Sequence, residues 1–508
     1  MPSDRTVLPA GDTAVLVQVA GLPEVLALAA ALREAALPGV LDVVPAARTV
    51  LLTTTPGTDL AALRRAVLAL PVQAGAGPAS GAAVEIPVTY DGPDLEEVGR
   101  LTGLGAGGVV EAHTGTPWRV GFGGFAPGFA YLAGGDERLH VARRDEPRTS
   151  VPAGSVGLAG EFSGVYPRPS PGGWQLIGRT DVVLWDETRD PPALLQPGAE
   201  VRFLRATRTS PPPERIATEP SGGDLEVLAT GASALVQDLG RPGLAASGVG
   251  RSGAADRAAL RLANRLVANP EDAAGIEAVF GGLSMRARKP MTVALAGAPA
   301  PADIDGRPMG HHAVLTLRPG QVLTLGPPPS GLRTYLAVRG GIAVPPVLGS
   351  RATDVLSGVG PAPLGPGDVL PVGPEPATFP IVDVAPVAVP PSDVVTLRAL
   401  PGPRVDWTVD AAALVRTTWT ASSRSDRVGM RLEGGPLRRA DRGELPSEGM
   451  VRGAIQVPPG GEPVLFLADH PVTGGYPVVA VVLDADVDRA AQVRPGQQVR
   501  FTLVKEYP

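Results

Sequence analysis

The residues best suited to chemistry stand in two stretches. Between Gly121 and Thr180 the chain reads GFGGFAPGFAYL, then PRTSVPAGSVGLAG, then PSPGGWQLIGRT, and Arg143, Arg144, Arg148 and Arg179 lie there beside Ser155, Tyr131 and Trp174. A guanidinium binds a carboxylate or phosphate through paired parallel hydrogen bonds, so these arginines point to a small anionic ligand with aromatic walls. Gly121, Gly123, Gly124, Pro127 and Gly128 cannot continue a helix, and they let the backbone approach a neighbour or a ligand closely. The same composition equally suits a loop-rich barrel rim with solvated arginines. The second stretch, LVQDLGRPG and then SGAADRAALRLANRLVANPEDAAGIE, holds Gln237, Asp238, Arg241, Asp256 and Asn264. Asp256 stands at the start of an amphipathic segment, where a carboxylate either favours the helix N-terminus or serves as an acid or base. His113 has no second ligand nearby at metal spacing, so no metal site is expected; it is either a hydrogen-bonded structural residue or another acid/base group. Arg427, in SSRSDRVGM, is a further anion-binding group, and ADHPVTGGYP, with Asp469, His470, Thr473 and Tyr476, offers a second wall.

These groups need elements to hold them. From Thr13 to about Val88 the pattern runs strand (AVLVQV), helix (23–36), strand (VLDVV), strand (TVLLTTT), helix (59–70), strand (VEIPV), the order of a ferredoxin-like split βαβ unit. Val25, Leu28, Ala29 and Leu32 fall on one apolar helix face, and the unit reads as a packing domain. The loop AGAGPASGAA precedes its last strand, and two short helical pieces, PDLEEVGRLTG and GAGGVVEAHTG, follow. A closing phrase recurs in LLQPGAEVRFL, LTLRPGQVLTL, PLGPGDVLPV and AQVRPGQQVRF. In each, proline presets one turn position and glycine supplies positive φ at the next, ahead of an alternating strand. A second echo pairs GSVGLAG and GGWQLIGRT with GAIQVPPGG and GGYPVVAVV, which suggests a reused barrel unit. TRTSPPPERIATEPSGG (207–223) has the composition of a linker, and a proline-rich passage at 374–392 separates the last two units.

At 508 residues the chain exceeds one ordinary core, and 65 glycines and 57 prolines between short Val and Leu runs indicate a β-rich protein. The net charge of −6, with no basic block, argues against nucleic acid as a partner. There is no cysteine, which removes disulfides, thiolate metal sites and a cysteine nucleophile. MPSDRTVLPAGD lacks a signal-peptide pattern and no apolar run approaches a membrane span, so a cytoplasmic protein with no membrane partner is expected. The only lysines are Lys289 and Lys505; neither follows a glycine, so a Walker phosphate loop is excluded, and neither sits in a biotin-carrier motif. No covalent cofactor is expected in this chain.

The strings GFAPGFAYL, RRDEPR, VPAGSVGLAG and SPGGWQLIGRT resemble the B subunit of prokaryotic ATP-dependent 5-oxoprolinase, the Kip kinase-inhibitor family. LVQDLGRPG, SGAADRAALRLANRLVANPEDAAGIE, YLAVRGGI, LGSRATD, GAIQVPPGGEPV and TGGYPVV resemble its C subunit, so nearly the whole chain is similar to a B–C fusion. Two positions depart from the pattern: Asp426 replaces an asparagine before Arg427, and Ala352 replaces a serine. The resemblance implies a mainly β protein with α+β parts. Its expected units are a ferredoxin-like domain at 1–90, a cyclophilin-like barrel at 91–206, the linker at 207–223, a first C-type barrel at 224–388 and a second, cyclophilin-like one at 389–508. It also implies ATP, with Mg2+, and a separate A subunit that completes the opening of a five-membered lactam to glutamate. On this view His113, Arg148, Ser155 and Asp256 are catalytic, and Tyr131, Trp174, Arg179, Gln237, Arg241, Asn264, Arg427 and Tyr476 bind substrate or ATP.

Two other functions fit the resemblance: a biotin-dependent carboxyltransferase component like that of urea carboxylase, and a histidine-kinase-binding regulator. The fusion weighs against the second, since an inhibitor and its antagonist locked at equal amounts cannot be set by their ratio. The lack of a Ser-Ser-Gly core and a Gly-x-Ser-x-Gly elbow argues against an autonomous amidase of the allophanate hydrolase kind. Oligomeric state is open, a homo-oligomer among the options. The two halves are expected to meet face to face, with Arg148 and Asp256 in one shared pocket for a small anion.

Overall fold

The computed structural model describes residues 5–72, 83–207, 222–379 and 382–504. Most of the AGAGPASGAA loop, linker residues 208–221 and Lys505 lie outside the described residues. The protein is mainly β, with few helices and sheets that curl into barrels.

The first sheet has four antiparallel strands in the order Thr6–Pro9, Ala14–Gln18, Thr49–Thr54, Val40–Pro45. Helices Leu22–Ala35 and Leu60–Ala69 cover one face, where Val15, Val17, Val50 and Leu52 meet Val25, Leu28 and Leu32. Alternate residues on the same strands, Ala14, Leu16 and Leu51, point the other way and pack on Met450, Ala454, Phe466 and Val481 of the last barrel. That double burial is why AVLV and VLL read as continuous apolar runs rather than as alternation. The ferredoxin-like expectation needs correcting at its last strand. Val84–Val88 does not join this sheet; it pairs in parallel with Glu200–Arg205 in the next one, and Thr6–Pro9 takes the edge beside Ala14–Gln18. The strand follows partners supplied more than a hundred residues later, which a local pattern cannot show.

The next sheet has seven strands, from Gln175–Arg179 at one end to Val84–Val88 at the other. Reciprocal backbone bonds between Thr89 and Arg179, 2.8 and 2.9 Å, join the two ends. Residues from Leu225 to Leu370, within the expected first C-type barrel, form a six-stranded and a five-stranded sheet that share one core. The last unit is a closed seven-stranded barrel running from Val394–Pro401 round to Gln498–Leu503.

The repeats seen in the sequence have structural counterparts. Gly198, Gly320, Gly367 and Gly496, the glycines of the four recurring turns, all have φ between +81° and +95°. Ser155–Ala159 pairs with Gln175–Arg179 as Ala454–Gln456 pairs with Val478–Val482, both with a register shift. The correspondence extends further than the sequence echo. Trp118 and Trp419 each lead a strand against the closing strand, at Val201 and Val499, and each indole donates to a carbonyl five residues earlier, His113 and Leu414. His113 and Leu414 therefore occupy equivalent places in two copies of one design.

Candidate functional site

The glycine-rich loop of the first half is a packing device. A Cβ on Gly124 would collide with the Phe129 ring, and one on Gly172 with the Tyr166 hydroxyl. The loop closes over a ring cluster in which Tyr131 stacks on Phe122 at 4.4 Å and meets Trp174 edge-on at 5.4 Å. Tyr131 and Trp174 are thus buried core residues rather than exposed walls, although the Tyr131 hydroxyl reaches Ser447 at 3.5 Å. The loop also faces the second half. A Cβ on Gly123 would lie 2.7 Å from the Ala246 carbonyl, one on Gly248 would lie 2.6 Å from that of Ala126, and the Gly128 N–H donates to Ser247.

The first-half polar residues are mostly committed to one another. Arg144 and Arg148 both reach Asp94 Oδ1, at 2.9 and 2.8 Å, and the Leu176 N–H donates to Oδ2 at 2.7 Å. Asp94 is buried, so its charge needs that many partners, and Arg148 is one of them. Ser155 is buried in a strand and Arg179 pairs with exposed Asp91. His113 is completely buried, stacked on Phe203 at 4.2 Å, between the Tyr90 hydroxyl and Ser163 Oγ, each at 2.8 Å. Desolvation pulls its pKa down to about 3, so it is a neutral core residue, consistent with Leu414 at the equivalent place.

That placement carries a stability prediction. The unfolded histidine titrates near 6.5 and the folded one near 3, so the unfolded state binds the extra proton between these values. Stability from His113 is full above about pH 6.5 and is lost as pH falls toward 3. His113→Leu should cost on the order of 1–3 kcal/mol at pH 7, from unpaired Tyr90 and Ser163, while flattening the acid-side decline in unfolding midpoint. Urea titrations between pH 4 and 7.5 check both.

The second half is organised by residues 238–257, which touch every neighbour. Asp238 accepts from Ser350 Oγ and the N–H groups of Gly240 and Arg351; the Ala245 N–H donates to Asp42; Ser252 Oγ donates to Asp469 at 2.6 Å. Arg427, fully buried, donates to both oxygens of Asp469 at 2.9 and 3.0 Å, to Glu277 at 2.5 Å and to the Gly253 carbonyl at 2.6 Å. Glu277 also accepts from the Tyr335 hydroxyl and the Ala255 N–H, and the Tyr335 oxygen in turn accepts from the Asp256 N–H at 2.8 Å. An unbroken polar chain therefore joins Asp469 to Asp256 through the interior.

Asp256 caps the helix Arg257–Leu266, accepting from the Ala259 N–H at 2.9 Å, and its other oxygen accepts from Gln492 Nε2 at 2.7 Å. Burial, helped by the nearby Asp488 charge, raises its pKa to about 7. It lines a cavity of about 610 Å³ together with Gln492, Asp488, Arg265 and Arg489. A carboxyl group poised near neutrality in a cavity of that size is suited to taking or giving a proton. A larger cavity of about 820 Å³ lies between Leu22, Arg48, Trp118 and Glu161, and none of the expected site residues lines it. Asp256 decides between the two.

The remaining expectations divide. Asn264 is structural: its amide donates to the carbonyls of Glu271 and Ala273 and its oxygen accepts from Asn269. Gln237 donates to the Thr353 carbonyl and Tyr476 is exposed, with Arg439 over its ring at 6.0 Å. Asp426, the departure from asparagine, accepts two backbone N–H groups in its own turn, and Ala352 acts through its backbone, its carbonyl accepting from Arg241 and its N–H donating to Ser350 Oγ at 3.0 Å. Among the described residues Arg148 bonds Asp94 while Asp256 lines the 610 Å³ cavity, whose walls do not include Arg148, so the loops of the two halves meet elsewhere than around this pair. Glu277 escaped notice in the sequence; the signal was an acid inside the apolar run GIEAV.

Two family models match the chain. One, described as the carboxyltransferase domain, subdomain C and D, covers residues 5–195; the other, subdomain A and B of the same domain, covers residues 247–503. The C subunit of 5-oxoprolinase from Escherichia coli (strain K12) is 38% identical over 282 residues, 54% of this chain and 90% of that protein. The B subunit of 5-oxoprolinase from Escherichia coli O157:H7 is 53% identical over 124 residues, 24% of this chain and 57% of that protein. The crystal structure of TTHA0988 is 37% identical, with a TM-score of 0.87, covering 96% of this chain and 99% of that one. The chain belongs to the carboxyltransferase-domain family, as a fusion of the B and C types of 5-oxoprolinase subunits.

Proposed function

We propose that this chain is the fused B–C component of an ATP-dependent 5-oxoprolinase, which activates 5-oxo-L-proline for hydrolysis to L-glutamate together with a separate A subunit. The observation that carries the reading is that a single chain is similar to both subunit types, 38% identical to one and 53% to the other. The chemistry explains why ATP is required. An unstrained lactam carbonyl is a poor electrophile; moving the γ-phosphoryl group of ATP onto its oxygen releases ADP and creates a leaving group, after which water adds at the carbon, inorganic phosphate departs and the ring C–N bond breaks to leave glutamate.

On this reading the 610 Å³ cavity takes the substrate and Asp256, deprotonated above about pH 7, accepts the proton. Arg265 and Arg489, now paired with Glu271 at 2.9 Å and Asp486 at 3.7 Å, would exchange those partners for the lactam carboxylate or the ATP phosphates. Lys289 does not line this cavity and pairs with Asp224 at 3.0 Å, so arginines and backbone N–H groups would have to hold the nucleotide, whose Mg2+ arrives with it. The test mixes the purified chain with its A partner, ATP and 5-oxoproline and follows glutamate and ADP. Both should appear in equal amounts and only with all components present; neither above controls would remove the proposal. The second reading, carboxyl transfer from a carboxybiotin carrier, is favoured by the family's description as a carboxyltransferase domain. Loss of label from carboxybiotin upon adding the chain would support it instead.

A further inference from the structure

The turn Asp354–Gly360, in the second half, lies between two arginines from different halves. Arg241 is 2% exposed; its guanidinium donates from Nη2 to the Ala352 carbonyl, while Nε and Nη1 are buried without a partner. Arg168, from the first half, donates across the seam to the Leu356 carbonyl and leaves its own buried Nε without one. Among the described residues neither guanidinium stands in an ion pair, unlike Arg427 or Arg452, which are each held by two acids. The turn presents glycine to each arginine, and on the Arg241 side it is closely packed, since a Cβ on Gly360 would also lie 2.1 Å from the Ala352 carbonyl. Gly358, at φ +68°, would place a Cβ 3.4 Å from Arg168 Nη1, and Gly360, at φ +96°, would place one 3.1 Å from Arg241 Nη2.

Buried charged donors without acceptors are costly, and folded proteins satisfy nearly all of them. The nearby acids do not meet the need. Asp354 Oδ1 is occupied by the N–H groups of Leu356 and Ser357, Asp238 by Ser350, Gly240 and Arg351, and Asp469 by Arg427, Ser252 and Val355. Asp354, Asp238, Asp469 and, from the first half, Glu187 act on Arg241 through space, and Asp354 acts on Arg168 in the same way, without an ion-pair contact to either guanidinium. Burial also pushes Asp354 toward its neutral form, which weakens the negative charge between the two arginines.

We propose that Arg241 and Arg168 form a clamp for the oxyanion end of a small molecule, a phosphate or a carboxylate, that binds only when the two halves are docked. The clamp is distinct from the Asp256 cavity and does not depend on the oxoprolinase reading.

The test is thermal unfolding of the full chain in inorganic phosphate, in acetate and in chloride at equal ionic strength, on the wild type, Arg241→Gln, Arg168→Gln and the exposed control Arg205→Gln. Phosphate or acetate should raise the wild-type and Arg205→Gln midpoints by several degrees beyond chloride, with apparent affinity falling about tenfold or more in the two clamp variants. A phosphate response identifies a phosphoryl ligand, an acetate response a carboxylate, and either supports the clamp. Circular dichroism establishes that each variant is folded; should Arg241→Gln not fold, the half-buried Arg168→Gln carries the comparison. A wild-type response no greater than that to chloride, or a folded Arg168→Gln that keeps the full response, overturns the proposal.

Discussion

Arg427→Met should lower the unfolding free energy by about 3–5 kcal/mol, the largest loss expected from any single substitution in this chain. The side chain is fully buried and bonded to Asp469, Glu277 and the Gly253 carbonyl. Methionine fills much of the volume but leaves both acids without their shared cation. Glu277 keeps Arg333 at 3.4 Å and Asp469 keeps Ser252, so the acids are weakened rather than stranded, which sets the upper end of the range. The two acids hold the guanidinium's pKa well above its ordinary value, against the effect of burial, so the pair cannot be relieved by shedding the arginine proton. Denaturant titration at pH 7 should show the loss. A change under about 1 kcal/mol would mean that the polar interior reorganises around the gap. Because Arg427 holds the loop that carries Asp256, the same variant should also lose function in whichever assay the protein responds to.

Asp256→Asn should reduce turnover by roughly 10²–10⁴-fold while leaving the protein folded, the range by which a positioned proton acceptor contributes. Asparagine still caps the helix. It cannot satisfy both present donors, because Ala259 N–H and Gln492 Nε2 each need an oxygen and only one remains. Gln492 cannot turn round to help, since its Oε1 already accepts from the N–H groups of Leu332 and Arg333. A stability cost of about 1 kcal/mol follows. The pH behaviour gives an independent check. Wild-type activity should rise with pH through about 7 as Asp256 ionises, and that limb should vanish in the variant. For stability the sign is opposite to that of His113: the folded pKa is raised above the unfolded value near 3.8, so the contribution is full below pH 3.8 and is lost as pH rises through 7. Unfolding midpoints between pH 4 and 8 should decline less steeply in the variant. An activity profile unchanged in shape and height would remove Asp256 from the chemistry.

Much of the scaffold was legible because it depends on short-range rules. Proline followed by glycine marks a turn needing positive φ, and all four recurring phrases form one. The helical face of Val25, Leu28, Ala29 and Leu32 is buried as its spacing requires. What the sequence hid is pairing at a distance. Val84–Val88 looks the same as a strand whichever sheet it joins, and its partner at 200–205 cannot be read from its own residues. The site was legible by residue type but not by assignment. Arg148 and Asp256 are both charged groups in distinctive strings, yet one neutralises Asp94 and the other lines a cavity. Glycine beside aromatics admits two uses, a ligand-hugging loop or a loop closed on its own rings, and only the positions of Phe129 and Tyr166 decide for the second.

The first sheet is covered on one side by its own helices and on the other by residues 450–481, and the Asp484 N–H donates to Asp12 across 472 positions. At roughly 5–20 residues per second a ribosome needs tens of seconds to deliver that second cover. Throughout that interval Leu16, Val44 and Leu51 are left facing water on the nascent chain. Synthesis of this protein therefore calls for a temporary guard on its leading segment, and truncations ending before the last barrel should precipitate rather than accumulate as soluble fragments.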